Sequence, residues 1–228
     1  MRMAMISGVA LVCAMTLASP VFAGGQQETE RIDRIVPIGA NGSLRLNNFS
    51  GKVTITGTNR ADLSVHAVRR ATRDRLDHIH LEITQTTSGV SIEANKKDED
   101  YRERDNNVVE TDFDIEVPAD ISLDVHVFSS NVEVRDVRGS QKVHSFSGEV
   151  ALSGVWASVD AETFSGDITV GLANSAGGRV DFDSFSGSLR TDGAVQVRSS
   201  DRRHFTADIG AGPNEYHFKT FSGDVKIR

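Results

Sequence analysis

A short motif recurs along the chain and constrains its fold more than any other feature. The motif is Phe-Ser-Gly, one turn residue, and then an aliphatic residue. Full copies begin at Phe49-Ser50-Gly51, Phe146-Ser147-Gly148, Phe164-Ser165-Gly166, Phe185-Ser186-Gly187 and Phe221-Ser222-Gly223, and degenerate copies begin at Phe128 and Phe205. From Phe128 onward the phenylalanines are 16 to 21 residues apart. This period predicts one structural unit per repeat, with each unit stacked on its neighbours.

The residues that flank each motif alternate between apolar and polar. Val159, Ala161 and Thr163 precede one copy, and Ile168 and Val170 follow it. A period of two predicts strands, and the glycine between them permits a sharp turn. The sequence therefore predicts an all-β fold, a β-solenoid-like stack of short-stranded coils. A plain antiparallel sandwich also gives short alternating strands and is the rival architecture.

Stacked coils would bring the phenylalanines into one column. If that column is tightly buried, truncating one ring to alanine should cost roughly 3–5 kcal/mol. Burial of this kind explains the repeated phenylalanine without a ligand. The alternative is a column that binds a hydrophobic ligand.

The first part of the chain alternates in the same way but lacks the motif between Phe49 and Phe128. This spacing predicts a sheet-like N-terminal portion that caps the stack. Residues 68–77 could form one turn of helix or a charged connection. Residues 96–107 are the most polar segment and predict an exposed hairpin loop, in which Tyr101 is the one large apolar residue.

The N-terminus has the pattern of a secretory signal. Arg2 is followed by an uncharged, mostly apolar run over residues 3–17, and Val21-Phe22-Ala23 supplies a cleavage site. We therefore expect a signal peptide over residues 1–23, a flexible leader over 24–33 and one repeat domain over 34–228. A lipid anchor at Cys13 is the alternative, but Val12 stands where a small residue is needed. Export to the periplasm or the cell surface follows from either pattern.

Composition narrows the partners and the chemistry. The formal charge of −7 argues against nucleic acid and anionic membranes, which require a basic face. After cleavage the chain would keep no cysteine, and no later stretch approaches the ~20 apolar residues of a spanning helix. The Gly-x-Ser-x-Gly pattern of many hydrolases is absent.

Several candidate metal ligands have a simpler interpretation. Acidic residues at the turns could form a calcium ladder, but other copies place Lys52, Asn131 and Ser188 there, which favours solvated turns. The acidic positions are Glu149, Asp167, Asp208 and Asp224. His78 and His80 share one strand face and could begin a zinc site, although an exposed strand face is the better explanation, since a zinc site needs further ligands. We expect no catalytic, cofactor-binding or metal residues, no cofactor, and Trp156 at the edge of a coil.

Three segments together resemble the putative adhesin family of bacterial envelope proteins. They are residues 42–57, residues 115–125 and the run of Ser-Gly-x-aliphatic repeats to the C-terminus. The chain is more distantly similar to the head domains of autotransporter adhesins. The resemblance implies an exported β-repeat protein and carries no catalytic or binding residue with it.

Three functions follow as hypotheses. The first is a non-catalytic envelope or surface protein that binds or scaffolds through a solenoid flank. The second is a periplasmic accessory protein that binds another envelope protein. The third is a polysaccharide-active enzyme, which would need carboxylates gathered in a groove.

Overall fold

The computed structural model describes residues 27–39, 41–101 and 108–228. The expected signal peptide lies outside these residues. About 71% of the described residues are in strands, as the alternation predicts, and one short helix is present among them. Its elements are β1 (Gln27–Pro37), β2 (Ser43–Thr58), β3 (Asp62–Thr72), α1 (Arg73–His78), β4 (Ile79–Gln85), β5 (Gly89–Lys97), β6 (Glu110–Pro118), β7 (Ser122–Arg135), β8 (Gln141–Ser147), β9 (Val150–Val155), β10 (Val159–Ser165), β11 (Ile168–Leu172), β12 (Gly178–Ser186), β13 (Leu189–Thr191), β14 (Val195–Ser200), β15 (His204–Ile209), β16 (Asn214–Ser222) and β17 (Val225–Ile227).

Two ladders of parallel strands meet at the Phe-Ser-Gly turns. The leading ladder contains the strands before each turn, in the order β5, first half of β2, first half of β7, β8, β10, β16 and β12. The trailing ladder contains the strands after each turn, in the order β6, second half of β2, second half of β7, β9, β11, β17 and β13. Neighbouring strands are parallel throughout both ladders, whereas those of a plain antiparallel sandwich are antiparallel.

The motif serines set the register of the leading ladder. Ser50 pairs with Ser129, Ser129 with Ser147, and Ser147 with Ser165. The next neighbour of Ser165 is Ser222, which in turn pairs with Ser186. The last motif of the chain therefore lies between the two that precede it, so β16 and β17 are inserted into the stack. A stack built in chain order, which the sequence predicts, is wrong at this point.

Antiparallel strands extend both ends of the ladders. At one end β4 pairs with β5, and β3 and β1 extend the trailing ladder beyond β6. At the other end β15 pairs with β12, and β14 pairs with β15. The sheet-like N-terminal portion predicted from the sequence corresponds to the first of these ends.

Buried alternating side chains from both ladders form one core. In β10 and β11 the buried apolar residues are Val159, Ala161, Ile168 and Val170, and all belong to this single cluster. A smaller cluster joins Leu76 of α1 to Ala71, Ile79 and Val109. Since both ladders contribute buried rows to the same cluster, the core runs along the two ladders.

The N-terminal boundaries differ from expectation. Residues 27–33, expected in a flexible leader, belong to β1, which pairs with β3 over its whole length. Most side chains of β1 are exposed, so backbone hydrogen bonds hold this strand without an apolar alternation in its sequence. Residues 68–72 continue β3 before α1 begins at Arg73, and Lys96 and Lys97, expected in a loop, end β5.

Candidate functional site

The phenylalanine rings of six motif copies stack in one column across the leading ladder. Neighbouring ring centroids are 4.6–4.9 Å apart, and neighbouring ring planes lie within 17° of parallel. The order along the column is Phe49, Phe128, Phe146, Phe164, Phe221 and Phe185. We call this set the phenylalanine column.

The column stands on the protein surface, so the expectation that it is buried is wrong. The six side chains are 41–57% exposed. The reason lies in the alternation: Val159, Ala161 and Thr163 point into the core, which places Phe164 on the outer side of the same strand. Each ring is covered mainly by the rings above and below it.

Phe205 does not join the column, although its sequence fits the degenerate motif. It lies in β15, which runs antiparallel to β12, and it pairs there with Phe182. Because the chain direction is reversed, Phe205 packs partly against the core and no motif turn forms at residues 206–209. The structure therefore removes Phe205 from the set of repeat turns.

The motif glycines let successive turns approach closely. Gly166 has a φ of +153°, and a β-carbon there would lie 2.1 Å from the carbonyl oxygen of Gly148. The glycine is therefore required by both its backbone conformation and the space available. The peptide N–H of Gly166 donates to the carbonyl of Ser222 on the other side.

Polar side chains form a second row beside the column, two residues before each phenylalanine. Between β8 and β10, His144 Nδ1 lies 3.6 Å from Glu162 Oε2. Lys219 on β16 reaches the same carboxylate at 4.0 Å. One step further from the column, Arg45 donates to Asp124 at 2.9 Å. Opposite charges on neighbouring strands stabilise the ladder at this face.

A groove lies between the phenylalanine column and this polar row. It encloses about 640 Å³, with Phe146, Phe164, Phe221 and Phe185 on its apolar side and residues such as His144, Glu162, Lys219 and Asp183 on its polar side. Arg203 closes one end, with its guanidinium carbon 4.6 Å from the centre of the Phe185 ring. We call this the column groove.

His144, which lines the column groove, and His204, which contacts the groove residue Asp183 from β15, have pKa values shifted in opposite directions. A hydrogen bond to Asp183 at 3.0 Å raises the pKa of His204, assisted by the charge of Asp181. Burial lowers the pKa of His144, and the charge of Glu162 only partly offsets that effect. The pKa of His204 therefore lies above, and that of His144 below, the ordinary value of a histidine.

The comparisons with known proteins come from sequence and from structure. A family model described as Toastrack DUF4097 matches residues 107–228, which include β6 to β17. The chain belongs to the Toastrack DUF4097 family. A comparison with curated proteins gives no significant match.

Comparison with solved structures gives matches at low sequence identity. A putative cell adhesion protein from Clostridium sporogenes has a TM-score of 0.64 and 13% identity, with 88% of this chain and 99% of that chain covered. A putative adhesin from Bacteroides fragilis has a TM-score of 0.35 and 13% identity, with 87% and 97% covered. At this identity the Clostridium protein is evidence for a shared fold alone. No helix among the described residues is long and apolar enough to cross a membrane.

The acidic turn residues of this Toastrack domain bond to neighbouring turns. Asp167 Oδ1 accepts the peptide N–H of Asp224 at 2.8 Å, and Asp224 Oδ1 accepts the N–H of Ser188 at 2.8 Å. The bond from the Ser188 N–H also lowers the pKa of Asp224. Asp208 lies elsewhere and pairs with Arg198. Asp167 and Asp224 therefore have a structural role between neighbouring turns. Asp208 does not belong to this group of turn residues.

His78 and His80 meet at one carboxylate, that of Asp98, at 3.2 and 3.0 Å. The ring of His78 also stacks on Tyr101, whose hydroxyl donates to Asp74. These contacts pin the start of the 98–107 segment to α1 and β4, and residues 102–107 lie outside the described chain. Trp156, expected at a coil edge, is half exposed.

Among the described residues, two groups of three side chains have the spacing of metal ligands. One is Asp160, Glu162 and His217, and the other is Asp181, Asp183 and His204. Sequence analysis singled out none of these six residues as ligands. No short sequence motif contains these ligand groups, because the residues that meet in space are up to 57 residues apart in the chain.

Proposed function

We propose that this Toastrack domain is a non-catalytic binding module of an exported protein, and that the phenylalanine column and its groove are the contact surface. The observation that carries the proposal is the exposure of six stacked rings on one face. Five ring-to-ring steps of 4.6–4.9 Å make the column about 24 Å long, since stacked strands repeat at this spacing.

The exposed area of the column is large for a surface with no partner. Six rings that are 41–57% exposed present roughly 500 Å² of contiguous apolar surface. This is near the upper end of the largest apolar patch on an ordinary monomer, and such patches are often functional. Burying them in a complex supplies a favourable free energy of binding.

The ring geometry favours aliphatic groups as the contact. Within the column each ring face is covered by the next ring, so the edges are what a partner meets. Sugars stack on aromatic faces. In this column a free ring face remains only at the two ends, and Arg203 covers the one at Phe185. The proposed occupant is therefore a protein segment in extended conformation.

The polar side of the groove suits the other face of such a segment. Glu162, Lys219 and Arg203 offer both signs of charge, and Ser145 and Thr163 border the floor. An extended peptide presents alternate side chains to opposite sides, so it can contact the column with one set and the polar row with the other. The groove therefore favours a partner peptide with alternating aliphatic and polar residues.

The proposed module does not carry out catalysis. In the polar row Glu162 is flanked by His144 and Lys219, and Asp124 is flanked by Arg45 and His126. Burial alone would raise the pKa of Asp124, but hydrogen bonds from Arg45 and His126 hold it below its usual range. Such neutralised carboxylates support a structural and recognition role.

The proposed architecture is a β-solenoid-like stack, and the proposed location is the cell envelope or surface. The parallel ladders support the first, and the signal-like residues 1–23 support the second. The Clostridium protein of similar fold is described as a putative cell adhesion protein. Protease treatment of intact cells separates the alternatives: cleavage of a C-terminal tag supports the surface, and protection supports a periplasmic accessory role.

A selection experiment tests the contact surface. Ten-residue peptides displayed on phage are selected on the purified chain, and the enriched peptides are measured by calorimetry. We expect enriched peptides to alternate aliphatic and polar residues. The double substitution Phe164→Gln with Phe221→Gln should weaken their binding at least tenfold.

Trp156→Gln is the matched control, because this side chain is equally exposed and lies outside the phenylalanine column. It should leave peptide binding unchanged. Equal weakening in both variants, or enrichment of no peptide, would contradict a protein segment as the occupant. Binding of a linear oligosaccharide or of laurate with no peptide binding would contradict it as well.

A further inference from the structure

Four side chains converge at the end of the leading ladder, outside the phenylalanine column. Asp181 and Asp183 project from the same face of β12, His217 from β16 on one side and His204 from β15 on the other. His204 Nδ1 lies 3.0 Å from Asp183 Oδ1 and 3.6 Å from Asp181 Oδ1. His217 Nδ1 lies 3.8 Å from the same oxygen of Asp181.

These distances match the spacing of ligands around one metal ion. Ligands placed at 2.0–2.1 Å from a tetrahedral Zn²⁺ lie about 3.3 Å from one another. Asp181, Asp183 and His204 each offer one ligand atom within 4.8 Å of the other two. Small side-chain rotations would bring all three onto one ion. His217 contacts Asp181 on this side and has ligand spacing with Asp160 and Glu162 on the other, so its ring would turn toward the ion to become the fourth ligand.

The carboxylates at this place have weaker contacts with cations than those of the neighbouring strand. Lys219 lies opposite Asp183 in the register of β12 and β16, but among the described residues it forms its ion pair with Glu162. In the described part of the chain, the ion pairs of Asp181 and Asp183 are with imidazoles. The companion group on β10 differs, because Lys142 lies 4.0 Å from Asp160 and Lys219 lies 4.0 Å from Glu162. The β12 group is therefore the better cation site of the two.

An outer contact holds the His204 ring in a ligating orientation. Nε2 of His204 lies 3.0 Å from Thr206 Oγ1. When Nε2–H donates to this hydroxyl, Nδ1 carries the lone pair and faces the two carboxylates. Histidines that bind metals commonly have their second nitrogen held in this way.

We propose that Asp181, Asp183 and His204, with His217 as the fourth ligand, bind a divalent transition metal ion of the Zn²⁺ class. Two carboxylates with imidazole nitrogens suit Zn²⁺, whereas Ca²⁺ requires six or more oxygen ligands. The ion would join β15, β12 and β16. It would fix the antiparallel β14–β15 hairpin to the parallel ladder beside the column groove.

Calorimetry on the untagged chain with ZnCl₂ tests the site. We expect one ion per chain, no heat with CaCl₂, and at least tenfold weaker Zn²⁺ binding in both Asp183→Asn and His204→Gln. Nitrogen-15 spectra of the imidazoles should show the His204 Nδ1 signal moving on zinc addition. The circular dichroism of both variants verifies that they remain folded.

His126→Gln is the matched control, because His126 faces the single carboxylate of Asp124 on the same ladder at 2.7 Å. It should bind Zn²⁺ like the original chain. Absence of Zn²⁺ binding would overturn the proposal, as would equal weakening in the control. Loss of binding on replacing His78 and His80 instead would transfer the site to Asp98 and overturn it too.

Discussion

The carbonyl oxygen of Gly148 occupies the space where a side chain at Gly166 would begin. A β-carbon at Gly166 would lie 2.1 Å from that oxygen, and the φ of +153° is one that other residues rarely adopt. Both obstacles involve backbone atoms, which cannot move without separating two stacked turns. The contact explains why glycine recurs in the motif.

Replacing Gly166 with valine should therefore strongly destabilise the domain. We expect a loss of roughly 3 kcal/mol or more in the free energy of unfolding, measured by urea denaturation. Gly193→Ala is the control, because a β-carbon there would meet nothing closer than Thr191 Oγ1 at 3.9 Å. An unchanged melting temperature in Gly166→Val would contradict the turn geometry.

Truncation in the phenylalanine column should cost less than truncation in the core. Phe164→Ala removes stacking on Phe146 and Phe221 from a ring that is already 46% exposed, so we expect a loss of about 1–2 kcal/mol. Phe218→Ala removes a fully buried ring and should cost about 3–5 kcal/mol. Guanidinium unfolding of both variants measures the difference, and equal losses would show that the column is buried in solution.

Cysteine pairs can test the insertion of β16. Ser165 and Ser222 are neighbours in parallel strands, about 4.8 Å apart at the α-carbons, which suits a disulfide. Ser165 and Ser186 are separated by β16, about 9.6 Å apart, beyond disulfide reach. Under oxidation, Ser165→Cys with Ser222→Cys should cross-link and Ser165→Cys with Ser186→Cys should not. The reverse pattern would indicate a stack in chain order.

The pKa values of His144 and His204 should lie on opposite sides of the ordinary value of 6.5. The pKa of His204 lies above it because of Asp183, so its stabilising contribution is full below pH 6.5 and is lost as pH rises through the raised pKa. The pKa of His144 lies below it because of burial, so its destabilising effect grows as pH falls from 6.5 through the lowered pKa.

Proton NMR titration in the presence of a chelator measures both values. Asp183→Asn should lower the pKa of His204 and leave that of His144 unchanged. A higher pKa for His144 than for His204 would contradict this assignment of environments.

The sequence predicted the local structure well and the exposure of the motif poorly. Alternation located the strands, and the repeated motif predicted a column of phenylalanines, which the structure shows for six of the seven copies. The surface position of Phe164 was also predictable, since it has the opposite parity to Val159, Ala161 and Thr163. The repeated phenylalanines were expected to be buried, although this parity indicates that they are exposed.

Other features lay beyond the sequence for physical reasons. Near-identical copies of the motif have near-identical pairing energies, so nothing local distinguishes a neighbour at Ser186 from one at Ser222. The group of Asp181, Asp183 and His204 depends on the antiparallel register of β15, which only the tertiary structure determines. The strand β1 has few buried side chains, so its pairing left no apolar pattern to detect.

The position of β16 and β17 has a consequence for the order in which the domain is completed. β12 and β13 emerge first, yet the strands that bridge them to β10 and β11 come later in the chain. Until those strands arrive, the edges of β10 and β12 expose unpaired backbone groups that could capture another chain. A domain closed in this way is therefore safest when its whole length is available before folding finishes.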